Sequence, residues 1–259
     1  MAKRRGRNSG THSTTARLGV ILLATVIGVL ASSRSYAEEF PFAVLVFSKT
    51  AGYRHESIPA GIAAIRALGK QKHFRVDATE DASIFNDEGL AQYRVTVFLS
   101  TSGDVLNSEQ EAAFERFIRR GGGFVGVHSA TDTEYEWPWY GQLVGAYFKK
   151  HPPIQAATLR VVDATHVSTR HLPADWQRID EWYNFREDPS PNVTVLLRID
   201  ESTYTGGTMG ASHPMAWCHT FDGGRAWYTE LGHTKDSYSE PLYLKHLLGG
   251  IEWAAGDRE

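Results

Sequence analysis

Gly121-Gly122-Gly123-Phe124-Val125-Gly126-Val127-His128-Ser129-Ala130-Thr131-Asp132-Thr133 is the stretch on which the reading of this chain turns. Three glycines stop whatever precedes them, a short apolar run follows, and the run breaks into small and polar residues at His128. Phe124-Val125-Gly126-Val127 lacks the alternation of a half-exposed strand, so it is predicted to be a strand covered on both faces, as in a parallel sheet. A strand that passes through a sharp turn into a helical segment projects the turn residue over the sheet edge, beside free backbone N–H groups. That is the geometry of a nucleophile elbow. Here His128 stands at the elbow, with Ser129 next to it.

The pattern repeats on the N-terminal side. Ser108 and Glu111 read as a capping box opening a helix, with Phe114, Phe117 and Ile118 on one face and the three glycines ending it. Residues 95–100 form another buried strand, 87–93 a short helix and 74–78 a short strand. Before them, Ser57 is expected to cap a helix carrying Ile58, Ile62, Ile65 and Leu68 up to a break near Gly69. Residues 42–48 are a further continuous apolar strand. Strands alternating with helices at these lengths predict an α/β fold with a doubly wound parallel sheet, which binds ligands at the carboxyl ends of its strands. Downstream, strand candidates at 156–162, 193–199, 215–220 and 225–230 precede a last helix from Pro241 to Ala255. With no repeat and no low-complexity linker, the second half reads as elaboration of one domain spanning 38–259.

Residues 1–37 read as a signal peptide: Lys3, Arg4, Arg5 and Arg7 precede an apolar stretch from Leu18 to Ala31, and Ser35-Tyr36-Ala37 suits a cleavage site. The apolar stretch is shorter than the roughly 20 residues of a spanning helix, so export to the periplasm or beyond is expected rather than stable membrane insertion; a retained N-terminal anchor is the alternative. Cleavage removes six of the 27 Lys and Arg and none of the 30 Asp and Glu, leaving a net charge of −9. A chain of that sign repels phosphate backbones, so nucleic acid is not an expected partner. Cys218 is the only cysteine. It lies in an apolar run and reads as a buried thiol, and no intramolecular disulfide can form.

Several segments hold residues that could carry chemistry. Histidine titrates near neutral pH, so His128 at a strand end is a candidate acid, base or metal ligand, or else a histidine hydrogen-bonded for structure. Lys49-Thr50-Ala51-Gly52-Tyr53-Arg54-His55 follows the first strand, and His55 either serves the site, with Tyr53 beside it, or caps the next helix. Asp180-Glu181-Trp182-Tyr183-Asn184-Phe185 mixes carboxylates, an amide and rings, a combination suited to sugars, since rings cover the apolar face while carboxylates take the hydroxyls. Read as a strand, it sets Glu181 and Tyr183 on one face and Asp180 and Trp182 on the other; Trp182 and Phe185 are equally readable as core. His213 and His233 lie at segment ends, His219 and Arg225 flank a tight turn, and Trp137 and Tyr140 either wall the pocket or pack. No His-Glu-x-x-His or paired-cysteine motif is present. A divalent metal such as zinc remains open, through distant histidines such as His55, His128 and His233.

Taken in order, Lys49–His55, the Gly121–Ala130 turn, Asp180–Phe185, His213-Pro214-Met215-Ala216-Trp217 and Gly224–His233 resemble the trehalose-utilisation (ThuA-like) family over roughly residues 42–255. The resemblance implies a flavodoxin-like, class I glutamine amidotransferase-like three-layer sandwich with a mostly parallel central sheet. It also implies a role in carbohydrate metabolism, on disaccharides or oxidised 3-keto sugars. The amidotransferases carry a catalytic cysteine at the elbow; with His128 there, glutaminase chemistry lacks its nucleophile. The expected function is acid–base chemistry on a small-molecule carbohydrate by His128, His233, Glu181 and His55, with Tyr53, Ser129, Trp137, Trp182, Tyr183, His213 and Arg225 as substrate-binding candidates. The alternative is a non-catalytic sugar-binding protein on the same fold.

Overall fold

The computed structural model describes residues 41–256. The expected leader at 1–37 lies outside these residues. In chain order the first half contains β1 (Ala43–Phe47), α1 (Ile58–Lys72), β2 (Arg75–Thr79), α2 (Asp87–Leu90), β3 (Val95–Leu99), α3 (Ser108–Arg119), β4 (Gly123–Val127) and α4 (Pro138–Val144). The second half adds β5 (Phe148–Lys150), β6 (Gln155–Val161), β7 (Asp175–Asp180), β8 (Asn184–Phe185), β9 (Thr194–Ile199), β10 (Pro214–Phe221), β11 (Gly224–Thr229) and α5 (Pro241–Ala255). Among the described residues no helix is long and apolar enough to cross a membrane.

Nine strands form one sheet in the order β2-β1-β3-β4-β11-β10-β9-β6-β7, and β5 and β8 make a small separate ribbon. The five strands from β2 to β11 pair in parallel; β10 and β6 are reversed, so seven of the nine run in one direction. Every residue of β1, β3 and β4 is buried, which is why their sequences are continuous apolar runs. Successive side chains of β1 go to opposite layers. Val44 and Val46 pack with Ile65 of α1 and Leu247 and Ile251 of α5, whereas Leu45 and Phe47 pack with Phe114 and Phe117 of α3 and Leu143 of α4. This is the expected α/β three-layer sandwich.

Local details depart from expectation. The box at the start of α3 lies one residue earlier: Asn107 Oδ1 accepts from Glu109 N at 3.1 Å and Gln110 N at 3.0 Å, and Gln110 Oε1 accepts from Asn107 N at 3.0 Å. Asn107 is in the extended conformation a cap requires, and Ser108 is already helical. Ser57 makes no capping bond, because its own backbone is helical; its hydroxyl instead donates to Gly232 O at 3.1 Å. The helix expected over 87–93 ends at Leu90. β7 was not expected, nor was a break at residues 181–183 between β7 and β8.

β7 lies four strands beyond β11, which on a flat sheet would separate them by about 19 Å. Yet Gly232 N, just past β11, donates to Asp180 Oδ2 at 3.1 Å. The antiparallel half therefore curls over the carboxyl edge of the parallel half and brings the end of β7 onto the end of β11. Within the layer that covers β11, α5 comes so close that a Cβ added at Gly250 would lie 2.4 Å from the Trp227 ring. Gly250→Ala is expected to lower unfolding free energy by about 1–3 kcal/mol through overpacking, measurable by urea denaturation.

Candidate active site

β1, β4, β7 and β11 run in the same direction, and each delivers titratable residues at its carboxyl end: His55 in the loop after β1, His128 directly after β4, Glu181 directly after β7, and Glu230 and His233 after β11. His128 has φ +52°, a left-handed conformation uncommon for a residue with a side chain. Tyr228 Oη holds the turn by donating to His128 O at 2.8 Å. A turn strained in this way at a strand end is what an elbow requires.

The His128 ring is fixed from behind. Its Nδ1 lies 2.7 Å from Glu230 O, and a backbone carbonyl only accepts, so Nδ1 carries the proton. Nε2 faces the opposite way, 3.1 Å from His233 Nδ1 and 3.4 Å from Glu181 Oε2. Glu181 Oε2 is in turn 3.1 Å from His233 Nδ1, and Glu181 Oε1 is 2.9 Å from Nδ1 of His151. His55 completes the group, edge-on to the rings of His128 and His233 and with Nδ1 3.3 Å from Ser129 Oγ. One ligating atom each from His55, His128, Glu181 and His233 lies within 4.8 Å of all the others. These are histidine nitrogens and a carboxylate oxygen, the donor types that hold a divalent transition metal.

Burial, and then the like charge of His128 and His233, pushes His55 down to about 2, so its imidazole is neutral. Burial alone would raise Glu181, but hydrogen bonds and charge from His128 and His233 hold it well below the usual carboxylate range. Burial would lower His233, and the Glu181 carboxylate overrides it and raises its pKa.

A second set of groups holds the first in place. Tyr183 N donates to Glu230 Oε1 at 3.0 Å, and the Tyr183 ring packs on His128 with centroids 4.4 Å apart. Glu230 is fully buried, its Oε2 has no hydrogen-bond partner among the described residues, and burial raises its pKa well above the usual carboxylate range. Asp180 accepts from Glu181 N, Gly232 N and Ser237 Oγ. His213 Nε2 donates to Tyr183 O at 2.7 Å while its Nδ1 lies 2.8 Å from Glu201 Oε1.

The candidates named from sequence thus divide. His55, His128, Glu181, His233 and Ser129 converge, Tyr183 packs against them, and Tyr53, 63% exposed, stands edge-on to His55 at the rim. His213 acts from behind Tyr183. Three others lie elsewhere. Trp182 is wholly buried in the core, its Nε1 donating to Gln155 O at 2.9 Å. Arg225 pairs with the first residue of β4 and donates to Trp253 O, so it sits at the far end of the sheet. Trp137 lines a separate cavity of about 200 Å³ with Glu134, Asp104 and Glu111. Sequence reasoning missed His151, which follows two lysines in no recognisable motif, and left Glu230 without a role although it stands three residues before His233.

Glu134 beside that cavity is pushed up to about 7 by burial, although Val105 N and Leu106 N donate to its Oε1. A carboxyl with a raised folded pKa stabilises the fold below its ordinary pKa near 4.5, and that contribution is lost as pH rises through 7. Glu134→Gln keeps the acceptor oxygen without the charge. Its melting temperature relative to the parent is expected to rise between pH 4 and pH 8, which thermal melts at the two pH values check.

Over residues 43–254 the chain matches the family described as ThuA, trehalose utilisation. The chain belongs to the ThuA family. Its structure is similar to that of a ThuA-like protein from Bacteroides uniformis, at 24% identity and a TM-score of 0.73 over 86% of this chain and 94% of the other. A ThuA-like protein from Parabacteroides merdae aligns at 20% identity and a TM-score of 0.70, over 83% and 90% of the two chains. A β-galactosidase from Bacillus circulans aligns at 13% identity and a TM-score of 0.55, over 82% of this chain and 31% of that enzyme, a likeness of fold alone. No curated protein matches the chain. The ThuA chain has histidine rather than cysteine at the elbow, and its one cysteine, Cys218 on β10, is buried with its thiol pushed up to about 12 by desolvation.

Proposed function

We propose that this ThuA chain is an exported enzyme of carbohydrate metabolism that performs acid–base chemistry on a disaccharide or keto-sugar at the cluster of His128, His233, Glu181 and His55. The observation that carries this reading is the convergence of four side chains from four separate strand ends, at the edge where α/β sheets bind their ligands. Moving a proton beside a carbonyl requires an acceptor within reach and a group to stabilise charge on the oxygen. His128 Nε2 and Glu181 are acceptors, His233 is the donor, and His151 connects the second oxygen of Glu181 to solvent. The family description, trehalose utilisation, makes disaccharides and their oxidised derivatives the first substrates to try.

A binding-only protein has less support, because Trp182, the ring best suited to a sugar face, is packed in the core. Incubating the purified chain with disaccharides and their 3-keto derivatives, followed by NMR, is expected to show one of them consumed. A panel left intact, together with sugar binding lost in Tyr53→Ala and kept in His128→Asn, would instead favour binding alone. Ammonia release from glutamine is not expected. Export is tested by the mass of the protein recovered outside the cytoplasm, expected to begin at Glu38; a full-length mass there counts against cleavage.

A further inference from the structure

We propose that His55, His128, His233 and Glu181 together bind one divalent transition-metal ion, with zinc the first candidate. The inference rests on the cluster being the functional centre and adds the group that polarises the substrate oxygen there.

The argument begins with protons. His128 Nδ1–H is committed to Glu230 O, so a neutral His128 presents a lone pair at Nε2. That lone pair faces Glu181 Oε2 at 3.4 Å and His233 Nδ1 at 3.1 Å, and the latter two are 3.1 Å apart. In this triangle of three electron-rich atoms a single N–H on His233 can satisfy one side and leaves another opposing lone pairs. A cation at the centre satisfies every side at once. The spacing agrees: metal–ligand bonds of about 2.0–2.1 Å in a tetrahedron place neighbouring ligands about 3.4 Å apart, close to the three separations observed. His55, within 4.8 Å of the other ligating atoms, supplies the fourth vertex.

The surroundings are those of a metal site. Histidine ligands are normally oriented by an acceptor on the other ring nitrogen, as Glu230 O orients His128, and ligating carboxylates are held by an outer partner, as His151 Nδ1 holds Glu181 Oε1 at 2.9 Å. Glu181 and His233 are the less buried members, with side chains 8% and 18% exposed, so a substrate oxygen approaches from their side as a fifth ligand. With the ion bound, His128, His233 and Glu181 would serve the reaction as its ligands rather than by exchanging protons themselves, the cation would polarise the carbonyl oxygen of a keto-sugar, and proton movement would fall to water and to His151 at the rim.

The test uses the purified chain, stripped with chelator and dialysed. Titration with Zn²⁺ is expected to saturate at one ion per chain. His55→Ala and Glu181→Gln are expected to weaken binding more than the roughly 10–100-fold that loss of an outer partner produces, and His171→Ala, outside the cluster, is expected to bind as the parent does. Titration of the parent with Co²⁺ needs no variant, and the intense visible absorption of a four- or five-coordinate ion is expected. Absence of a saturable one-to-one site, the weak spectrum of six-coordinate cobalt, or unchanged affinity in both ligand variants overturns the proposal. One-to-one binding with no sugar consumed leaves the metal site standing and counts against the carbohydrate reading; full turnover by metal-free protein does the reverse.

Discussion

Asp180→Ala is expected to lower the unfolding free energy by about 3–5 kcal/mol, the range for removing one partner from a buried ion pair. Asp180 is fully buried; its Oδ2 accepts from Gly232 N at 3.1 Å and Ser237 Oγ at 3.0 Å and lies 3.5 Å from Arg178 Nη1. Alanine leaves a buried backbone N–H without an acceptor and reduces the compensation of a buried guanidinium that, among the described residues, then retains Glu240 alone as a carboxylate partner. The same contacts hold the end of β7 against the end of β11, so the variant should also displace Glu181 from His128. Urea denaturation measures the first effect, and loss of Zn²⁺ or sugar binding in the folded fraction measures the second. Asp180→Asn keeps an acceptor oxygen and is expected to lose less. Equal stability of Asp180→Ala and parent would show that the curl of the sheet is held by other contacts.

The largest effect on activity is expected at the elbow. His128→Asn should reduce kcat/KM, on whichever panel sugar the parent consumes, by about 10²–10⁴-fold, the range for loss of a positioned acid–base group. Asparagine tolerates φ +52° better than alanine, so the turn is kept while the side chain no longer reaches Glu181. Glu181→Gln is expected to fall in the same range. Because the two groups act as a unit, the double variant should be little worse than either single one. Undiminished turnover in both single variants would remove the cluster from the mechanism.

Much of the parallel half was legible because burial on both faces leaves a plain trace. Continuous apolar runs at 42–48 and 95–100 are β1 and β3, and the alternation of such runs with capped, amphipathic helices already implies the sandwich. The elbow was legible for a related reason: three glycines, four apolar residues and an abrupt polar turn have few other readings. β7 was not legible, since its alternation is inverted. Trp176, Arg178 and Asp180 point inward, while Ile179 is 65% exposed, so its buried face carries two charges and its exposed face an isoleucine. The face argument for 180–185 nevertheless separated the right pairs. Glu181 and Tyr183 both meet His128 and Asp180 and Trp182 do not, although the segment between β7 and β8 is not a strand.

By itself the sequence determined the fold class, the strand and helix order of the parallel half, the family, and His128 at the elbow, because those properties follow from local periodicity and from motifs a few residues long. Only the tertiary structure decided which of the scattered histidines and carboxylates share one site. His55 and His233 are 178 positions apart, and Glu181 leaves a strand four places away from β11 in the sheet. Their meeting depends on the sheet curling back over its own edge, a long-range consequence of burying Trp176, Arg178 and Asp180 that no window of sequence contains. Tertiary placement also decided against Trp182, Arg225 and Trp137: each resembles a ligand-binding residue in type, and they lie respectively in the core, at the far end of the sheet and beside another cavity.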